Sequence, residues 1–276
     1  MDRIRLIASD MDATLLDEQS QLPADFEETI HALAELGIRF APASGRPLYT
    51  LEAMFPTLQD ELVFIGDNGG AIRWKGQNLF TSEMSPEGWR ALNRLTREQG
   101  DIAVLCGLES AYVERPFAVH DAVLRHFYTK IEYVDRLEDV AAPADKFTIY
   151  LPQHNAQQAY DTVYASQRSI YSVAVAGECW VDIMNPGVHK GAALQTLGHL
   201  WGLPSESMMA SRDTYDNAEM LQTVRYGFLV ENGSEPLRQK VPFLAPSHRE
   251  AGVMQVLHRV LAQNGCVCPE DFVPAH

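Results

Sequence analysis

At 276 residues and 46% apolar composition, the chain is long enough for one large domain or two modest ones, and disordered and fibrous classes are excluded. A net charge of −15 argues against binding nucleic acid or an anionic membrane surface, while a small anion can still bind where a local cation gathers it. No apolar run approaches the roughly 20 residues that span a bilayer, and the opening MDRIRLIASD lacks a signal-peptide pattern. Cys106, Cys179, Cys266 and Cys268 form no CxxC pair and have no histidine cluster beside them. A cytoplasmic protein with free or buried thiols is expected.

Ile4 to Ser9 is a short apolar run ended by DMDATLLDEQ, which predicts a buried parallel strand entering a functional loop near Asp10. Pro23 predicts a first helical turn, Phe26, Ile30 and Leu33 recur at helical spacing, and Gly37 predicts the stop. Apolar segments at 38–43 and 62–66 flank a Gly-Arg-Pro turn and a short helical stretch at 48–55. Strand, helix, strand, helix, strand implies an α/β fold with a parallel sheet and right-handed crossovers. A hairpin is expected over AIRWKGQNLF, turning at Lys75 and Gly76.

Residues 84–183 then mix two helical stretches with the strand-like runs AVLC, AYVER, KFTIYL, SIYSVAV and CWVDIM. Without strict alternation, they predict an inserted α+β domain of about 100 residues. The α/β pattern resumes with GAALQTLGHLWG as a helix, SMMAS as a strand, DNAEMLQTV as a helix and YGFLVE as a strand. EAGVMQVLHRVL closes the chain as a helix. No internal repeat or low-complexity segment is found.

Four short segments carry chemistry, each at a predicted strand end or at the helix start beyond it. Asp10 and Asp12 place two carboxylates where the first strand runs out. One can attack phosphorus already ionised, and the other can protonate a leaving oxygen and then deprotonate water. Ser44, Gly45 and Arg46 end the second strand, where a hydroxyl, backbone N–H groups and a guanidinium suit phosphoryl oxygens. Lys190 opens the helix after the insertion, where a fixed ammonium stabilises a charge-rich transition state. Arg212-Asp213-Thr214-Tyr215-Asp216-Asn217 follows SMMAS, and acidic groups there suit an oxygen-ligand site for Mg²⁺. Alone, each segment has an ordinary structural explanation as a cap, a turn or a solvated charge. Their joint occurrence is the signal.

On DMDATLL, SGR, the DNGGAI turn at 67–72, HKGAAL, DTYDNAEML, ENG and REAGV, the sequence resembles the haloacid dehalogenase (HAD) superfamily of phosphohydrolases, in its Cof-type sugar-phosphatase branch. The resemblance implies a HAD-like Rossmannoid parallel-sheet core from residues 1–83 and 184–276. A C2-type α+β cap, inserted after the third core strand over residues 84–183, would set substrate specificity. It further implies a Mg²⁺-dependent phosphomonoester hydrolase acting on a small phosphorylated metabolite through an aspartyl-phosphate. Asp10 would be the nucleophile, and Asp12 the general acid/base with its backbone carbonyl on the metal. Ser44, Gly45 and Lys190 would hold the phosphoryl group. Asp213 would bind Mg²⁺ with Asp10, and Asp216 and Asn217 would complete its shell. Arg46 and Asn68 would lie near the junction of core and cap, where such enzymes contact substrate.

Three departures fall near this site. Ala13 stands where the family usually has glycine, Arg212 replaces the glycine of the family's GDxxND motif, and its Asn-Asp pair is reversed as Asp216-Asn217. Adjacent helix residues point about 100° apart, so the reversal redirects the charge. Arg212 can grip phosphate or obstruct the site. Two alternatives therefore stand beside the phosphatase: a phosphate-ligand binding or regulatory protein without turnover, and a phosphomutase. Tyr112, Arg115, His120 and Trp180 are aromatic or basic candidates in the insertion whose positions the sequence leaves open.

Overall fold

The computed structural model describes residues 1–213 and 219–276. The short apolar runs of the first segment become β1 (Leu6–Asp10), β2 (Arg39–Ala43) and β3 (Val63–Gly66), buried along nearly their whole length. Near-continuous burial is what a parallel strand covered on both faces requires. The crossovers are α1 (Phe26–Glu35) and α2 (Leu48–Ala53). Pro23 lies in the turn before α1 and not in its first turn, its carbonyl accepting from the Phe26 N–H at 3.0 Å. Lys75 and Gly76 both have positive φ, the conformation of a tight two-residue hairpin turn, between β4 (Ala71–Trp74) and β5 (Gln77–Thr81).

The next segment forms a separate six-stranded sheet from β6 (Ile102–Gly107), β7 (Ala111–Glu114), β8 (Ile131–Val134), β9 (Ala144–Tyr150), β10 (Ser172–Val175) and β11 (Trp180–Met184). Their order is β10-β11-β9-β6-β7-β8, antiparallel throughout except for β7 and β8. Three α-helices accompany it where two are expected: α3 (Pro86–Gln99), α4 (Asp121–Phe127) and α5 (Ala156–Thr162). The last two are only seven residues long, too short to show a helical period in sequence.

The chain then returns through α6 (Lys190–Trp201), β12 (Met208–Arg212), α7 (Glu219–Gln222), β13 (Tyr226–Val230), β14 (Phe243–Ala245) and α8 (Gly252–Ala262). It does not close on that helix, because β15 (Val273–Pro274) follows and pairs antiparallel with β14. Among the described residues the first sheet has the order β15-β14-β13-β12-β1-β2-β3-β4-β5, with β14 through β3 mutually parallel. One of its faces packs against α1, α2 and α8 around Phe40, Phe26, Phe55 and Phe64, whose successive ring centroids are 5.4–6.0 Å apart. The other packs against α6 and α7 through Leu194, Leu197, Met220 and Leu221. Among the described residues no helix is long and apolar enough to cross a membrane.

Candidate active site

β1 is the strand at which the sheet's connections reverse, since the chain builds β2 and β3 on one side and β12, β13 and β14 on the other. Such a reversal opens a crevice beyond the carboxyl ends of the strands. Asp10 is the last residue of β1, opposite Ala43 at the end of β2. Ser211 lies opposite Ser9, which brings Arg212 and Asp213 to the same edge from the far side.

The Asp10 carboxylate is buried and held from three directions. Lys190 Nζ donates to its Oδ1 at 2.7 Å, the Met11 N–H donates to the same oxygen at 2.7 Å, and Arg212 Nη1 lies 3.3 Å from Oδ2. Burial alone would push this pKa up. The Lys190 and Arg212 charges, with the two hydrogen bonds, outweigh it and hold the carboxyl below its ordinary value. Lys190 is placed by helix geometry: it is the first residue of α6, whose cap His189 accepts the Ala192 N–H at 3.1 Å on its Nδ1. The α6 start fits there because Gly69, at φ +98°, has no side chain, and a Cβ would sit 2.6 Å from the His189 carbonyl oxygen.

The other expected residues gather around this carboxylate. Ser44 is buried, its Oγ accepting the Arg46 N–H at 3.1 Å. Gly45 lets Asn68 approach, since a Cβ there would stand 3.0 Å from Asn68 Oδ1. Arg46 grips Asp12 with both nitrogens, at 2.6 and 3.0 Å, so both Asp12 oxygens are engaged. Asn68, at φ 57°, donates from Nδ2 to Asp182 Oδ2 at 2.8 Å, crossing from the first sheet to the second. Ala13 has φ 55°, a conformation glycine adopts freely and alanine only at a cost of about 1–2 kcal/mol. Its carbonyl accepts from Asn232 of the ENG segment at 2.8 Å.

Asp213 accepts from Thr14 Oγ1 at 3.3 Å, and burial together with the Asp10 charge raises its pKa. The buried Asp10 and half-buried Asp213 carboxylates, beside the Asp12 backbone, make an oxygen-only donor set. That set fits Mg²⁺, which keeps several waters and needs one or two carboxylates. Among the described residues there is no larger metal-binding cluster of acidic, histidine and cysteine side chains. Asp216 and Asn217, expected to complete the metal shell, lie outside the described residues.

A cavity of about 560 Å³ opens over Asp10, Ser44 and Lys190 and is walled on its other side by the second sheet. Of the four unplaced candidates, Trp180 lines it, and His120 packs edge-on against Tyr150 behind it at 5.4 Å. Tyr112 and Arg115 line a different groove. The sequence reading missed Lys146 and Asp182. Buried Lys146 donates to the Gly45 carbonyl and lies 3.1 Å from Asp67, while Asp182 receives Thr148 Oγ1 at 2.7 Å as well as Asn68. Their signal was a charge inside an apolar strand run, KFTIYL preceded by Asp145 and CWVDIM interrupted by Asp182.

Fold and site define an α/β enzyme with an ionised carboxylate at the topological switch point. Residues 7–257 match the family model described as haloacid dehalogenase-like hydrolase. An Escherichia coli protein named 5-amino-6-(5-phospho-D-ribitylamino)uracil phosphatase YbjI is 29% identical over 262 residues, covering 94% of this chain and 96% of its own. The HMP-PP phosphatase of Cronobacter sakazakii is 28% identical over 249 residues, covering 87% and 89%. The crystal structure of SMU.1108c from Streptococcus mutans superposes with a TM-score of 0.82 at 27% identity, covering 94% of this chain and 99% of that one. The chain belongs to the haloacid dehalogenase-like hydrolase family, among its Cof-like phosphatases.

Proposed function

We propose that the chain is a Mg²⁺-dependent phosphomonoesterase that transfers the phosphoryl group of a small metabolite to Asp10 and then to water. The observation that carries this reading is the buried Asp10 carboxylate, kept ionised between Lys190 and Arg212 at the mouth of a cavity. The phosphoryl group would lie between Ser44, the Gly45 and Arg46 backbone and Lys190. An Asp10 oxygen attacks phosphorus as the ester P–O bond breaks, and Asp12 gives its proton to the departing oxygen. Asp12 then takes a proton from the water that attacks the aspartyl-phosphate, releasing phosphate and restoring Asp10. Because Arg46 engages both Asp12 oxygens, the acid step needs Arg46 drawn away by the arriving phosphoryl oxygens. Asp10, the Asp12 carbonyl and Asp213 would hold Mg²⁺, which supplies charge neutralisation at the phosphoryl oxygens.

Residues 1–83 and 184–276 would form the catalytic core and 84–183 the specificity cap, a division supported by the membership of the two sheets except at Met184, which ends β11 of the second sheet. Four free cysteines support a cytoplasmic location. The test is phosphate release from p-nitrophenyl phosphate by the pure protein: it should require Mg²⁺ and vanish in Asp10→Asn, and retained turnover in that variant would sink the mechanism. One observation favours the second reading, a phosphate-binding protein without turnover: Arg212 already faces the second Asp10 oxygen. That reading predicts no hydrolysis by the parent chain and a large gain when Arg212→Gly is combined with Asp216→Asn and Asn217→Asp.

A further inference from the structure

We infer that the group released with the phosphate-bearing oxygen carries a planar conjugated ring and is not a simple sugar, an inference that rests on the phosphatase reading for where the phosphate sits. The cavity's polar side chains between the Asp10 end and the second sheet are already paired with one another. Thr148 and Asn68 both donate to Asp182, and Lys146 is held by the Gly45 carbonyl and Asp67. A sugar hydroxyl arriving there would compete with these bonds for the same Asp182 and Lys146 atoms, which reduces its net gain.

The wall towards the second sheet carries an aromatic cluster beside Ala176, Gly177 and Cys179. Phe127 and Trp180 line it with their ring centroids 5.0 Å apart and their planes at 65°, and Tyr128 meets Trp180 edge-on at 6.2 Å. Tyr150 supports Trp180 from a centroid distance of 4.6 Å. Trp180 is 8% exposed and fixed by three rings, so a flat ring meeting this wall at half-buried Phe127 and the exposed part of Trp180 costs no further ordering of the protein. At about 560 Å³ the space accommodates a ring system larger than a single sugar. The exposed rim pair His154 and Glu178, 3.2 Å apart, offers polar contacts for the ring's edge.

The experiment compares flavin mononucleotide and pyridoxal 5′-phosphate with ribose 5-phosphate and glucose 6-phosphate as substrates of the full chain with Mg²⁺. The ring phosphates should be preferred by about tenfold or more in kcat/KM, mainly through KM. Phe127→Ala and Trp180→Ala should each reduce that preference by about tenfold, with Trp180→Phe retaining part of it. Phe127 is half-buried, so its variant carries the test if Trp180→Ala does not fold. Binding is read independently as quenching of tryptophan fluorescence by the same ligands in Asp10→Asn. Preference for the sugar phosphates, or an unchanged preference in Phe127→Ala, overturns the inference and leaves the phosphatase standing. Absence of all hydrolysis, with ring phosphates bound by Asp10→Asn and released by Phe127→Ala, overturns the phosphatase and keeps the aromatic slot.

Discussion

At the Asp10 end of the cavity the contacts are charged or hydrogen-bonding, and the residues come from the ends of parallel strands, the turns beyond them and the first residue of α6. At the Trp180 end the contacts are between aromatic rings, contributed by antiparallel strands and the end of a seven-residue helix. The first end must hold a fixed charge, which demands particular atoms at particular distances. The second must present a shape, which many side chains can supply. On the proposed reading, one chemistry would be kept while the substrate is chosen by a different layer of the molecule.

That division of labour can be broken by mutation, in descending order of expected effect. Asp10→Asn should lower kcat by at least about a thousandfold for every substrate, aromatic or not. Lys190→Ala should lower it about 10²- to 10³-fold, again without regard to the leaving group, because it removes a preorganised cation from the phosphoryl end. Arg212→Ala should cost about tenfold if the guanidinium helps hold Asp10 ionised. A gain in steady-state turnover would instead mark it as an obstruction. The Phe127 and Trp180 variants should change the choice of substrate more than the rate, and a uniform loss across substrates would erase the contrast between the two ends.

The smallest effect concerns the junction between the sheets. Asp145 sits at the bulge of β9, buried, and neither carboxyl oxygen has a hydrogen-bond partner among the described residues. Burial and the charge of Asp67 push its pKa well above the ordinary value, against the pull of Lys146. Since the folded pKa is the higher one, the folded state retains a proton that the unfolded chain has released, and stability falls as pH rises above about 4. Asp145→Asn removes this cost. Its Tm should exceed the parent's by about 2 °C or more at pH 8, with the difference shrinking towards zero near pH 4. A lower Tm at pH 8 would show that the carboxyl is stabilising after all.

The parallel sheet was legible because covered parallel strands are continuous apolar runs, Asp10 and Ser44 because each stands where such a run ends, and Lys190 because it opens the helix after the insertion. The family resemblance named the same residues. Arg212 was recognised as a departure, but its direction depends on the pairing of β12 with β1, which no local pattern specifies. The aromatic wall was less readable still. Trp180 was visible as a candidate, yet its meeting with Phe127 and Tyr150 joins segments 53 and 30 positions away, by subtraction of their residue numbers. Asn68 and Asp182 meet across 114 positions for the same reason. The short helices α4 and α5 and the terminal β15 carry too few residues to impose a period.

The central claim is that Asp10 itself receives the phosphoryl group. Quenching the enzyme during turnover and reducing it with borohydride converts an acyl-phosphate to an alcohol, which peptide mass spectrometry locates. Reduction at position 10, dependent on substrate and absent from Asp10→Asn, is the predicted result. Phosphate release by the parent enzyme with an unmodified Asp10 peptide in the same quenched samples, under conditions that reduce a reference acyl-phosphate, would contradict it.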